Sequence, residues 1–328
     1  MGAFLVRRFF YMVVMLVLVS VVSFTIINLP PGDFMDSYIA RLQASGTEID
    51  LERIDALRIN YGLDKPIYVQ YMMWFSGLFV GDFGWSFDYS EPVGKLIAER
   101  VVLTVVISLV TLLFTYAVAI PIGIISATRQ YSFVDYLFTF IGFIGLATPN
   151  FLLALLLMFF GFQFFGAAVG GLFSMQYVDA PWSIAKVFDM IKHLWIPVIV
   201  LGTAGTAGII RVMRACLLDE LRKAYVMTAR SKGLKERRVI LKYPARIAIN
   251  PIISTIGWLL PQIISGAAIV SVVLSLPTVG GLLLRALRTQ DMYLAGSMIM
   301  LLSFLTIIGT LISDILLAVV DPRIRLTG

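Results

Sequence analysis

The sequence predicts an all-α integral membrane protein with six transmembrane helices and both termini in the cytoplasm. Of its 328 residues, 59% are hydrophobic and 14% are charged, whereas soluble domains have about 45–50% apolar and about 25% charged residues. Every apolar run exceeds the ~20 residues that cross a hydrocarbon core. The runs are also apolar on every face, unlike the alternating strands of a membrane barrel. They cover residues 9–32, 101–128, 136–178, 247–284 and 292–313.

The distribution of charge predicts the topology. The net charge of the whole chain is +6, but segment 211–246 alone reaches +8, with eleven basic and three acidic residues. Segment 29–100 has a net charge of −5. Because cytoplasmic loops are enriched in Lys and Arg, we place the basic segment and both termini in the cytoplasm and region 29–98 outside. Since the charges are separated by membrane spans, we expect membrane lipid and no nucleic acid as a partner.

We predict six spans, five of them at the apolar runs and one at 195–215, which lies outside them. We expect the first to be retained, because its apolar stretch exceeds the roughly 7–15 residues of a signal peptide. In the outer region, Leu51, Ile54 and Leu57 have helical spacing, which predicts a short amphipathic helix. The run 136–178 has room for one span or two, and one is favoured because two would move the basic segment outside. The predicted spans are 9–28, 101–127, 136–162, 195–215, 252–274 and 292–319.

These spans divide the chain into three parts. Residues 1–28 form the cytoplasmic N-terminus and the first transmembrane helix, and residues 29–98 form an extracytoplasmic loop region. Residues 99–328 form a core of five transmembrane helices, with a cytoplasmic loop at about 216–248.

The sequence lacks the usual signatures of catalysis and metal binding. His193 is its one histidine, which excludes His-rich metal sites, and Tyr89 occupies the first glycine position that a phosphate-binding loop ending in Gly94-Lys95 would need. We therefore predict no catalytic residue, no metal site and no cofactor in this chain. Ionisable residues at membrane depth mark ion paths, and Asp314 is the main candidate, with a structural ion pair and a gating role both open. This scarcity argues against a secondary carrier, which remains the less favoured alternative.

The segment Asp219–Arg246 has the most distinctive pattern. Within it, Tyr225–Leu234 (YVMTARSKGL) interrupts the charges with apolar residues and then a glycine. This pattern predicts a helix, a glycine break and a second helix. A short amphipathic helix of this kind suits the groove of a partner protein. The alternative is a basic loop that is held at anionic lipid.

Several motifs occur in order along nearly the whole chain: Tyr61–Pro66 (YGLDKP), Gly81–Ser86 (GDFGWS), Tyr225–Leu234, Asn250-Pro251 and Asp321–Arg325 (DPRIR). Together they resemble the inner-membrane permease subunits of the dipeptide/oligopeptide/nickel ABC importers, in the branch of the oligopeptide and dipeptide permease B subunits. The sequence differs from that family at Tyr243, where members often carry His, and at Pro277–Gly281, where they carry Pro-Gly-x-Gly. These differences leave the solute open.

The resemblance implies the type I ABC importer permease fold and a place in the bacterial cytoplasmic (inner) membrane. The implied solute is an oligopeptide or a related oligomer, with an oligosaccharide as the alternative. The implied partners are a homologous second permease subunit, two ABC ATPase subunits and an extracytoplasmic solute-binding protein. ATP and Mg would be used by the ATPase subunits, because the permease has no ATPase site of its own.

The resemblance also assigns Tyr225–Leu234 to the loop that couples the permease to an ATPase. Thr228, Ala229 and Gly233 are expected to provide the break and a close approach of the backbone. Tyr225 and Leu234 are expected to provide apolar docking. Arg230 and Lys232 are expected to make polar contacts.

Overall fold

The computed structural model describes residues 2–29, 64–86, 88–165 and 170–320, together with Ile39, Ile59 and Gly62. The amphipathic helix expected around residues 51–57 and the motif at 321–325 lie outside the described residues. In chain order the elements are α1 (Gly2–Ile27), α2 (Ile67–Val80), β1 (Trp85–Ser86), β2 (Glu91–Pro92), α3 (Val93–Thr128), α4 (Phe133–Ala147), α5 (Asn150–Phe165), a 3₁₀ turn (Met175–Tyr177), α6 (Ile184–Leu221), α7 (Ala224–Ser231), α8 (Glu236–Lys242), α9 (Pro244–Ala248), α10 (Asn250–Ser254), α11 (Ile256–Val273), α12 (Val279–Thr289) and α13 (Met292–Val320).

The chain separates into two compact units. The first contains the described residues of Val105–Pro277 and Thr306–Gly328, and the second contains those of Gly2–Thr104 and Thr278–Leu305. The predicted division at residues 28 and 98 concerns membrane regions and stays a prediction.

The first unit is organised around α6. This helix packs against α4, α5, α9, α10 and α11. Close packing depends on glycines: a Cβ added at Gly202 would lie 3.0 Å from the Phe114 ring, and one at Gly205 would lie 2.9 Å from a Leu259 methyl group. Small residues in membrane helices allow this close approach.

The core of the second unit forms where α3, α12 and α13 begin. Its buried side chains are Val93, Ile97, Val279, Leu282, Ala286, Leu294, Ala295 and Met298. Next to it, the hairpin of β1 and β2 is antiparallel, with Ser86 opposite Glu91. The apolar faces of three helices and a short hairpin thus close around one another.

A buried carboxylate fixes this hairpin to α13. The Asp291 side chain is fully buried and accepts hydrogen bonds from the Ser86 hydroxyl (2.6 Å) and the Asp88 N–H (3.1 Å). It also accepts from the Leu294 N–H (3.2 Å), which caps the first turn of the helix. One aspartate therefore satisfies donors from both segments.

The fold class is confirmed, and the number of spans stays a prediction. Among the described residues, four helices are long and apolar enough to cross a membrane: Val6–Ile27, Val93–Thr128, Ile184–Leu221 and Met292–Leu316. They contain most of the first, second, fourth and sixth predicted spans. The fifth predicted span is covered by α10 and α11, in which Gln262–Val273 is an apolar helix shorter than a span.

The third predicted span is broken in the structure. Phe133–Ala147 and Asn150–Phe164 meet at an angle of 106°. Thr148 adopts an extended conformation (φ −87°, ψ 120°), as expected for a residue before proline, because the ring of Pro149 disfavours the helical conformation there. The prediction of one span over 136–162 stays a prediction, and the structure adds a sharp bend at Pro149. The bent pair makes either one broken span or a re-entrant loop.

Candidate coupling segment

The basic segment after α6 folds as a helix, a glycine break and a second helix, which confirms the pattern predicted for it. α6 ends at Leu221, and α7 follows after a short turn. α7 ends at Ser231, and the Gly233 N–H donates to the Arg230 carbonyl at 2.9 Å. Gly233 has a φ of +72°, in the left-handed region that glycine adopts most readily. α8 then begins at Glu236.

We refer to Asp219–Arg246 as the coupling segment. A small apolar core holds its two helices together: Val226 and Val239 are fully buried, and Ala229 is 5% exposed. Tyr225, Leu234 and Tyr243 pack against this core. The segment is therefore structured by its own side chains.

A hydrogen bond connects α7 to the end of α6. The Tyr225 hydroxyl donates to the Glu220 carboxylate at 2.6 Å. Burial raises the pKa of Tyr225, and the neighbouring Glu220 raises it further. The phenol is therefore neutral and remains a donor at physiological pH.

An ion pair spans the glycine break. The Arg230 Nη2 atom lies 2.6 Å from the Glu236 Oε1 atom, and Arg230 Nε lies 3.1 Å from Oε2. This hydrogen bond lowers the pKa of Glu236 and raises that of Arg230. Both side chains are close to half exposed. The Arg230 guanidinium is thus already engaged within the segment.

The residues of α7 divide into two faces. Tyr225, Val226 and Ala229 face the small core, whereas Met227, Thr228 and Ser231 are exposed. Met227 is 63% exposed, and sequence reasoning did not single it out. No signal within the run identifies it, because the face of α7 that is buried depends on where α8 packs. Met227 and Thr228 form the centre of the free face of α7.

The predicted coupling residues are therefore placed differently from one another. Thr228 and Lys232 are exposed, while Leu234 packs on the core of the segment. A Cβ added at Gly233 would meet no atom within 4 Å. Within the described chain, the glycine is thus needed for its backbone angle. A close approach there concerns a partner and stays a prediction.

Outside the segment, Asp314 was a further candidate, whereas His193 was not. Asp314 lies half-buried on α13, and its ion-pair or gating role stays a prediction. The Nδ1 atom of His193 lies 2.8 Å from the Asp189 carbonyl oxygen, one turn earlier on α6. The histidine thus makes a structural contact within its own helix. Within the described residues there is no group of three His, Cys, Asp or Glu side chains that could hold a metal ion.

Comparison with known proteins matches two family models to this chain. Residues 119–326 match the binding-protein-dependent transport system inner membrane component, and residues 1–109 match the N-terminal region of such membrane components. The coupling segment lies wholly within the first match. The two matches together cover most of the chain.

Individual relatives are similar over their full lengths. The oligopeptide transport system permease protein AppB of Bacillus subtilis is 36% identical over 99% of this chain and 100% of its own. A putative peptide permease protein of Brucella suis is 34% identical over 95% of this chain and 96% of its own. The dipeptide transport system permease protein DppB of Alkalihalophilus pseudofirmus is 28% identical over 99% of this chain and 100% of its own.

Proposed function

The chain belongs to the family of binding-protein-dependent transport system inner membrane components, and from this premise we propose that it is the permease subunit of an ATP-driven importer of peptides. It is a multi-pass inner-membrane protein with the type I ABC permease fold. The peptide solute is supported by full-length similarity to relatives named as oligopeptide and dipeptide permeases. The same names favour peptides over oligosaccharides.

The proposal includes partners that the chain needs to work. A homologous second permease subunit completes the transmembrane pathway, two ABC ATPase subunits supply the energy, and a solute-binding protein delivers the peptide from outside. ATP and Mg are used on the ATPase subunits, because this sequence lacks a phosphate-binding loop. This chain thus contributes a path and a mechanical connection, without an ATPase site.

The coupling segment provides the mechanical connection in this proposal. ATP binding closes the ATPase pair, and the exposed face of α7 around Met227 and Thr228 moves with the ATPase to which it is docked. The small core and the Tyr225–Glu220 hydrogen bond transmit this motion to α6. The helices then alternate between inward-open and outward-open arrangements, largely as rigid bodies.

The experiment is co-purification of the tagged chain in mild detergent, with mass spectrometry of its partners and measurement of ATPase activity. We expect a second permease and ATPase subunits to be recovered. Met227→Asp places a charge on the free face of α7, and we expect it to lower ATPase recovery about tenfold or more, as for loss of an interface anchor worth about 2 kcal/mol. The tagged chain itself should still be inserted in the membrane.

Met175→Asp is the matched control. Met175 is 92% exposed and lies between α5 and α6, on the side that the topology places outside. The same change there should leave ATPase recovery unaltered. A stable chain without any ATPase partner, or equal losses in the two variants, would contradict the proposal.

A further inference from the structure

A pocket of about 300 Å³ lies between α4 and α6, apart from the coupling segment. The two helices run antiparallel past it, since Asp135 bonds to Arg214 and a Cβ at Gly142 would lie 3.5 Å from that of Ala207. Because Gly142 and Ala207 are small, the space between the two helices stays open. Its rim is accessible, because Tyr136 and Phe143 are more than half exposed.

The lining changes from polar to apolar along the helices. At one end are Tyr131, Asp135 and Arg214, and at the other are Leu146 and Ala207. From residue 135 to residue 146 the helix rises about 16 Å, which is close to the ~15 Å depth of one leaflet of a hydrocarbon core. The polar end includes Arg214 of the +8 segment 211–246, where we expect the membrane interface. The lining thus has the polarity and the length of a single lipid molecule.

One cation of the pocket lining remains available to a ligand. Asp135 neutralises Arg214 through two hydrogen bonds of 2.9 Å. Arg211 has no ion-pair partner in the part of the chain that the structure describes, and its guanidinium lies 5.6 Å from the centre of the Phe143 ring. An exposed arginine next to an aromatic ring complements a phosphate group that is joined to an apolar chain.

We propose that this pocket binds one anionic phospholipid. Its phosphate lies at Arg211, and an acyl chain follows Phe143, Leu146 and Ala207 toward the middle of the membrane. This inference is independent of the transport proposal, because it concerns only charge and shape on the lipid-exposed surface of α4 and α6. The two can therefore fail separately.

The test measures lipid retained by the purified complex in nanodiscs that contain equal amounts of phosphatidylglycerol and phosphatidylcholine with identical acyl chains. After transfer to detergent, native mass spectrometry counts the lipids that remain bound. We expect one phosphatidylglycerol to be retained in preference to phosphatidylcholine. Arg211→Gln should lower this retention about fivefold, the effect of removing one basic residue near a membrane surface.

Two further variants separate a built site from general attraction. Arg129→Gln removes an exposed cation from the turn before α4, outside the pocket, and should leave retention unchanged. Gly142→Leu fills the pocket without changing the charge, and should lower retention as Arg211→Gln does. Size-exclusion chromatography checks that each variant is folded.

Three results would overturn the proposal. Equal retention of the two lipids would show that charge is not recognised. Equal loss in Arg129→Gln and Arg211→Gln would indicate diffuse attraction to the basic surface. A photoreactive residue in place of Phe143 that crosslinks mainly to the second permease subunit would show that a protein covers this face.

Discussion

One arginine–carboxylate pair joins α4 to α6, and another lies within the coupling segment. The two pairs have similar geometry in different surroundings. In the first, Asp135 accepts two hydrogen bonds of 2.9 Å from Arg214, and the aspartate side chain is 3% exposed. In the second, Arg230 and Glu236 approach to 2.6 Å, but their side chains are 43% and 55% exposed. The comparison shows that bond geometry alone does not determine how much a pair contributes to stability. Burial also matters, because it determines the cost of the unpaired charge that is left when one partner is removed.

The difference suits what each region does in the proposed importer. A buried pair fixes two helices, since an uncompensated charge in the interior costs several kcal/mol. An exposed pair contributes about 0–1 kcal/mol to stability. The backbone at the glycine break can therefore change conformation when α7 moves with a partner. The contact between α4 and α6 is thus held more firmly than the glycine break between α7 and α8.

Asp135→Ala should have the largest effect of the substitutions considered, because it leaves the Arg214 guanidinium without its carboxylate. Because the Arg214 side chain is 27% exposed and keeps part of its hydration, we expect a loss of about 1.5–3 kcal/mol, seen as a lower thermal denaturation midpoint and a lower yield of folded complex in detergent. The control is the double variant Asp135→Leu with Arg214→Leu, which removes both charges and should cost much less. A single variant as stable as the double one would mean that the pair contributes no more than the exposed pair.

The apolar runs predicted most of the spans because bilayer thickness imposes a minimum length on them. Helix ends were not predictable in this way. α6 begins at Ile184 and α3 at Val93, each before the predicted span, because charged residues mark the edge of the membrane and do not end a helix. The Asp135–Arg214 pair joins positions 79 residues apart, and no local pattern indicates it.

The coupling segment was predicted better because its signal is local. A glycine that follows a short amphipathic run indicates the break directly. Which face of α7 is free was not predictable from the run itself, since it depends on how α8 returns. The structure turns Tyr225 and Leu234 inward onto the small core of the segment and leaves Met227 exposed.

Gly233→Val tests whether the break has the conformation needed for coupling. The φ of +72° costs a residue with a Cβ roughly 1–2 kcal/mol, and more for a β-branched side chain. We expect lower transport-coupled ATP hydrolysis in reconstituted complexes, with membrane insertion intact. Gly233→Asn is the control, since Asn tolerates this region and a Cβ there meets open space. Normal transport by the Val variant would exclude a role for the break.

Glu236→Gln should have the smallest effect and sharpens the comparison through pH. The hydrogen bond from Arg230 lowers the pKa of Glu236, so the pair stabilises the segment above the usual glutamate pKa of about 4.3. This stabilisation is lost as the pH falls through the lower, folded-state value. At pH 7 we expect the variant to be less stable by under about 1 kcal/mol, because both side chains are exposed. The difference in denaturation midpoint between wild type and variant should narrow below about pH 4. If the difference in denaturation midpoint widened on acidification, or if the loss of stability at pH 7 were as large as that of Asp135→Ala, exposure would not weaken this pair.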